Sequence, residues 1–190
     1  MAAWFAPHGG GLRIRRPGRR RRPAVDEQGV AVATGAAIAE LLHVALFEPE
    51  IHPNTGNIAR LCAANRLPLH LVGALGFRID DRAVRRAGLD YWPFVDLRRP
   101  DTIEELHAAL RDARFFYFSA RADRLYTDVS YRAGDCLVFG PESAGLPKDL
   151  LDTHWECALR IPMRTDKVRS LNLSTAVGIA VYEALRQLRS

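Results

Sequence analysis

The chain has 190 residues, 48% hydrophobic and 26% charged, with a formal net charge of +5. That length supports one substantial core, and no apolar run approaches the roughly 18 residues of a membrane span, which excludes a membrane role and leads us to expect a cytoplasmic protein. Three cysteines (Cys62, Cys136, Cys157) without a C-x-x-C pair, and six histidines without H-x-x-x-H spacing, exclude a disulfide framework and give a metal mechanism nothing to stand on.

The charge is uneven. Residues 1–40 hold seven arginines against Asp26, Glu27 and Glu40, a net +4, which leaves +1 for residues 41–190. Gly-, Pro- and Arg-rich, then Ala-rich, this first stretch lacks helical or strand periodicity and is expected to be a disordered extension. A basic arm that grips phosphates is the alternative for Arg19 to Arg22. The folded part is expected over residues 41–190.

Residues 41–47 form a short apolar run suited to a buried strand, with His43 as a hydrogen-bonded core residue. A turn-rich loop follows over 48–57, then helical spacing over 58–67. Asn54 or Thr55 can cap that helix. Residues 69–72 read as a second strand, 80–87 as a short helix and 93–97 as a third strand. Asp101, with Glu104 three residues on, resembles a capping box for a helix through Arg111. A fourth strand is expected over 114–118, and 119–134 looks irregular, with room for a short strand or helical turn. Residues 135–139 form a fifth strand, 148–153 a brief helix and 157–161 a sixth strand.

The last helix has apolar residues at Leu173, Val177, Ala180, Val181, Ala184 and Leu188, one face meant for burial. Ser170, Asn172, Ser174 and Thr175 crowd its start with more hydroxyls and amides than one N-cap uses. The surplus points either to a ligand site at the positive end of the helix or to capping and turn chemistry. Strands alternate with helices throughout, which predicts an α/β fold: a mostly parallel sheet with helices on both faces. The three unusual loops, 48–57, 140–147 and 162–172, all follow strands, so in a parallel sheet they share one edge, where ligands bind in such folds.

Three ordered motifs carry a family resemblance: Asn54-Thr55-Gly56-Asn57-Ile58-Ala59-Arg60, Phe139-Gly140-Pro141-Glu142-Ser143-Ala144-Gly145-Leu146-Pro147, and Ile161-Pro162-Met163 followed by Arg169-Ser170-Leu171-Asn172-Leu173-Ser174. Over about residues 42–188 the chain resembles the SpoU branch of the SPOUT RNA methyltransferases, and within it the small tRNA wobble-position ribose 2′-O-methyltransferases. The resemblance implies a C-terminal deep trefoil knot that forms the S-adenosylmethionine pocket, a homodimer with its site near the subunit interface, and the tRNA anticodon stem-loop as partner, at position 34.

Carried over by motif, Gly140 and Ile161 match positions whose backbone holds the cofactor, Ser170 a contact in the last loop, and Phe118 a pocket-lining position. Glu142 and Asn172 match positions that hold the pocket and catalytic loops in shape. Arg60, with Asn54 six residues earlier, matches the arginine of the first motif. A guanidinium whose pKa exceeds about 12 is a poor base and suits phosphate binding and alkoxide stabilisation better. Without function, Arg60 would be a helix-start arginine paired with Glu48 or Glu50. Candidates for an RNA-binding face are Arg82, Arg85, Arg86, Arg98, Arg99, Arg121 and Arg124, with ordinary solvated charges as the alternative; Tyr182, which shares the last helix with Arg186 and Arg189, is open to RNA, the partner subunit or packing. Other tRNA or ribosomal RNA positions, and a catalytically silent RNA-binding relative, remain alternatives. No G-x-S-x-G elbow surrounds Ser170 and no G-x-G-x-x-G is present, which sets hydrolase and dinucleotide chemistry aside.

Overall fold

The computed structural model describes residues 41–77 and 91–188. The Arg-rich stretch 1–40, the helix expected over 80–87, and Arg82, Arg85, Arg86 and Arg189 lie outside the described residues. The short apolar runs become strands: β1 (Leu42–Phe47), β2 (Leu69–Val72), β3 (Leu97–Arg98), β4 (Phe115–Phe118), β5 (Arg124–Leu125), β6 (Asp135–Phe139) and β7 (Ala158–Arg160). They form a seven-stranded sheet in the order β3-β2-β1-β6-β4-β7-β5. Each neighbouring pair is parallel.

Alternation along the strands sorts side chains to two faces. Leu42, Val44, Leu46, Leu137 and Phe139 meet α1 (His52–Asn65) and α4 (Leu173–Leu188) through Ile58, Cys62, Val177 and Val181 on one face. Ala45, Tyr117, Cys136 and Val138 meet α2 (Ile103–Ala109) and α3 (Lys148–Thr153) through Ile103, Leu106 and Leu151 on the other. Helices thus cover both faces, and Cys62 and Cys136 are buried core residues. His43 and His70, both buried on adjacent strands, approach to 3.2 Å between Nδ1 and Nε2.

Several local expectations are corrected. α1 begins at His52, so most of the stretch read as loop is helix; Pro53 sits in the first turn, where a missing N–H costs nothing. Neither Asn54 nor Thr55 is its cap; the N-cap position is Ile51 and lacks a side-chain cap bond, while the buried Thr55 hydroxyl has no hydrogen-bond partner. Residues 92–94 form a 3-10 turn rather than the start of a strand, leaving β3 two residues long. The cap of α2 is Thr102, whose hydroxyl accepts from the Glu105 amide, one position later than expected. Residues 155–157 are likewise a 3-10 turn before β7.

Leu137 is fully buried at the centre of β6. Leu137→Ala is expected to lower unfolding free energy by about 2–5 kcal/mol with an unchanged denaturant slope. Urea unfolding followed by circular dichroism measures it; a loss below about 1 kcal/mol would show that the sheet centre closes over the cavity.

Candidate active site

Because the strands run parallel, the segments after β1, β4, β6 and β7 emerge at one edge of the sheet. There they enclose a cavity of about 520 Å³. Phe118, Phe139 and Leu159, from the ends of β4, β6 and β7, supply apolar wall, and the Phe118 and Phe139 rings stack at 4.5 Å between centroids. Residues 140–145 and 169–172 line the rest with main chain and small polar side chains, and Ile161 and Met163 border it.

Two loops are clasped over this edge by reciprocal carboxylates. Glu142 accepts from the backbone N–H groups of Glu50 (2.9 Å) and Ile51 (3.3 Å) and from Asn54 Nδ2 (3.0 Å). In return Glu50 accepts from the Ser143 amide (2.9 Å) and its hydroxyl (2.6 Å). Glu142 therefore provides, from the loop after β6, the anionic cap that α1 lacks in its own sequence.

Asn54 carries the network onward. Its Oδ1 accepts from Asn172 Nδ2 at 3.0 Å. Asn172 Oδ1 accepts from the amides of Ser174 (3.0 Å) and Thr175 (3.3 Å) and from the Ser174 hydroxyl (2.7 Å), capping α4. A carboxylate at one end and helix N–H groups at the other dictate which way both amides point. The crowded polar start of α4 is thus divided: Asn172 caps the helix, and Ser170 lines the cavity. Arg169 Nη2 donates to the Ser143 carbonyl at 3.2 Å and ties the last loop to the second.

Gly140 has a reason other than ligand approach. A Cβ there would lie 2.3 Å from the Leu146 amide nitrogen and 2.4 Å from the Gly145 carbonyl carbon, so the loop's own backbone occupies the space. Gly145, at φ +72°, makes the turn that brings that backbone back.

Of the residues read from the sequence, Asn54, Phe118, Gly140, Glu142, Ile161, Ser170 and Asn172 all line this cavity. Arg60 does not. It is exposed on α1, about 9 Å of helical rise beyond Asn54 and about 120° away around the axis, and its guanidinium carbon lies 4.7 Å from the centroid of the Tyr91 ring. The pairing with Glu48 or Glu50 is not seen; Glu50 is engaged by Ser143. From the sequence Ser143 and Tyr91 carry no role of their own and Glu50 is only a candidate partner for Arg60, because its actual partner, Ser143, lies 93 residues away. Arg121 lines the cavity, while Arg98 bonds Asp96, Arg124 the Asp128 carbonyl and Arg186 Glu183. Tyr182 is 54% exposed on α4. Among the described residues no group of three or more His, Cys, Asp or Glu could hold a metal ion.

A family model described as the SpoU rRNA Methylase family matches residues 41–182. A tRNA (cytidine(34)-2′-O)-methyltransferase of Yersinia pestis is 47% identical over 154 residues, spanning 78% of this chain and 94% of the relative. A solved structure described as giving structural insights into the 2-OH methylation of C/U34 on tRNA is 50% identical, with a TM-score of 0.73, over 80% of this chain and 98% of that one. An AdoMet-bound rRNA methyltransferase from Sinorhizobium meliloti is 27% identical, with a TM-score of 0.67, over 78% of this chain and 57% of that one.

The Ser143 hydroxyl, and then its amide, hold the Glu50 carboxyl below its ordinary value of 4.5. A depressed folded-state pKa stabilises above the unfolded value, and the contribution is lost as pH falls through the folded one. The melting temperature of Glu50→Gln should therefore lie below that of the parent at pH 7, and the gap should narrow as pH falls below the ordinary carboxyl value. A gap that stays constant from pH 7 to about 3 would mean that the carboxylate charge has no part in the clasp. Gly140→Ala forces the 140–146 loop outward; overpacking is expected to lower the unfolding free energy by about 1–3 kcal/mol in urea titrations, with the far-ultraviolet circular dichroism spectrum retained.

Proposed function

The chain belongs to the SpoU methylase family, and from that membership we propose that it methylates the ribose 2′-hydroxyl of the wobble nucleotide, position 34, of tRNA, using S-adenosylmethionine. The observation that carries this reading is the convergence of all three motif loops on one cavity beyond the strand ends. Relatives 45–47% identical over most of the chain are named tRNA (cytidine(34)-2′-O)-methyltransferases.

The cavity fits such a cofactor. Its volume of about 520 Å³ lies within the usual range for small-molecule sites, its apolar walls suit a purine, and the main chain of residues 140–145 offers polar edges. In this reading Phe118, Gly140, Ile161 and Ser170 hold the cofactor. When bound, S-adenosylmethionine would supply an electrophilic methyl group on a cationic sulfur for the ribose 2′-hydroxyl. The Glu142–Asn54–Asn172 network holds the first and third loops against the second, so that the reacting groups meet without reorganisation. Arg60 binds a neighbouring phosphate and stabilises negative charge developing on the 2′-oxygen.

The functional unit is a homodimer with the site near the subunit interface. This accounts for a catalytic guanidinium that stays outside its own chain's cavity, and for exposed Ile51, Val168 and Tyr182. The C-terminal segment forms a deep trefoil knot in this reading, consistent with the Arg169 and Asn172 contacts that bind the 162–172 loop to the two earlier loops. The methyltransferase domain of this cytoplasmic protein spans residues 41–190 in this reading, in keeping with a family match that begins at residue 41.

The test is methyl transfer from labelled S-adenosylmethionine to total tRNA, with the modified nucleoside identified and mapped. Label in a 2′-O-methylated ribose at position 34 is expected. Label at another position would retain the chemistry and discard the substrate, and absence of label from cofactor-binding protein would discard the activity. Arg60→Ala is expected to lower the transfer rate by about 10²- to 10³-fold while S-adenosylmethionine affinity stays within about twofold.

A further inference from the structure

We propose that Tyr91 is a positioning residue for the methyl transfer, a shelf that holds the Arg60 guanidinium in place on the surface of α1. The proposal rests on the reading of Arg60 given above. Arginine has a long side chain with large rotamer freedom, and Arg60 is exposed on its helix, so without a partner its guanidinium would sample a wide arc. Among the described residues no carboxylate pairs with it. What meets it is the Tyr91 ring, at 4.7 Å from the guanidinium carbon to the ring centroid, well inside cation–π range.

The shelf is itself fixed at three points. Its hydroxyl donates to the Gly56 carbonyl at 3.0 Å. Gly56 is four residues before Arg60, so the ring spans one turn of α1 from the carbonyl of one residue to the side chain of the other. Its body, half-buried, packs against the core cluster shared by α1 and α4. Its main-chain carbonyl accepts from the Phe94 amide at 3.0 Å, which locks it at the start of the 3-10 turn. A ring held at hydroxyl, body and backbone cannot follow the arginine; the arginine settles on the ring.

A π face satisfies the guanidinium without neutralising it. A carboxylate in the same place would occupy the N–H groups and cancel the charge that phosphate and alkoxide require. The contact therefore positions Arg60 while leaving its donors for substrate. An interaction of this kind is expected to act on the rate of transfer more than on cofactor binding, because Tyr91 does not line the cavity.

The full-length chain tests this with Tyr91→Leu, Tyr91→Phe, Arg60→Ala and the Tyr91→Leu/Arg60→Ala double variant. Single-turnover transfer to tRNA, S-adenosylmethionine affinity and melting temperature are measured for each. Tyr91→Leu is expected to slow transfer about tenfold with cofactor affinity unchanged. Tyr91→Phe, which keeps the ring, should recover to within about threefold of the parent. In the Arg60→Ala background, Tyr91→Leu should cost nothing further, since the shelf then has nothing to hold. A tenfold loss that repeats in that background would make Tyr91 a structural residue and overturn the proposal, as would full activity in Tyr91→Leu. Full activity in Arg60→Ala alone would overturn the Arg60 assignment and the proposal together.

Discussion

The carboxylate of Glu142 at the N-terminus of α1 is the interaction on which the rest of the site depends. α1 opens on Ile51, which has no side chain able to cap, and the proline in its first turn brings no donor. The unpaired N–H groups of Glu50 and Ile51 are instead met by an anion delivered from a loop 91 to 92 residues later in the chain. Helix-end amides carry partial positive charge, so the carboxylate is stabilised where it sits and the helix end is stabilised with it. Glu50 completes the exchange by taking the Ser143 amide and hydroxyl. β1 and β6 are neighbours at the middle of the sheet, and this exchange keeps their following loops at a fixed separation.

From that clasp the geometry propagates by polarity. Asn54 must turn its NH₂ toward the carboxylate, which turns its carbonyl oxygen toward Asn172; Asn172 then has only its own oxygen to offer the amides of α4. Three loops distant in sequence are aligned without a buried ion pair, by groups whose donor and acceptor ends can be satisfied in only one arrangement. Beside it, the back-folded 140–146 loop leaves no room for a Cβ at Gly140. The cavity is thus bounded by a network on one side and by close backbone packing on the other.

Fold class and most strands were legible because burial on both faces leaves continuous apolar runs: 42–47, 69–72 and 135–139 needed no tertiary information. α1's early start was not. His52, Pro53, Asn54 and Gly56 look like turn residues, and the contact that meets the start of their helix comes from outside it. The 3-10 turn at Trp92–Phe94 was likewise hidden behind residues of good strand propensity.

By itself, the sequence determined a parallel α/β domain, the motif residues of one site and the family they resemble, since periodicity and short motifs are local properties of the chain. Tertiary structure alone decided how those residues divide their work. It placed Glu142 as a helix cap in trans, made Asn172 the cap of α4 while leaving Ser170 to the cavity, gave Gly140 its backbone neighbour, and set Arg60 outside its own chain's cavity on the face of Tyr91. For Glu142, Arg60 and the Asn54–Asn172 link the physical reason is separation: contacts that span 31 to 118 residues depend on which strands lie side by side, and local pattern does not encode that.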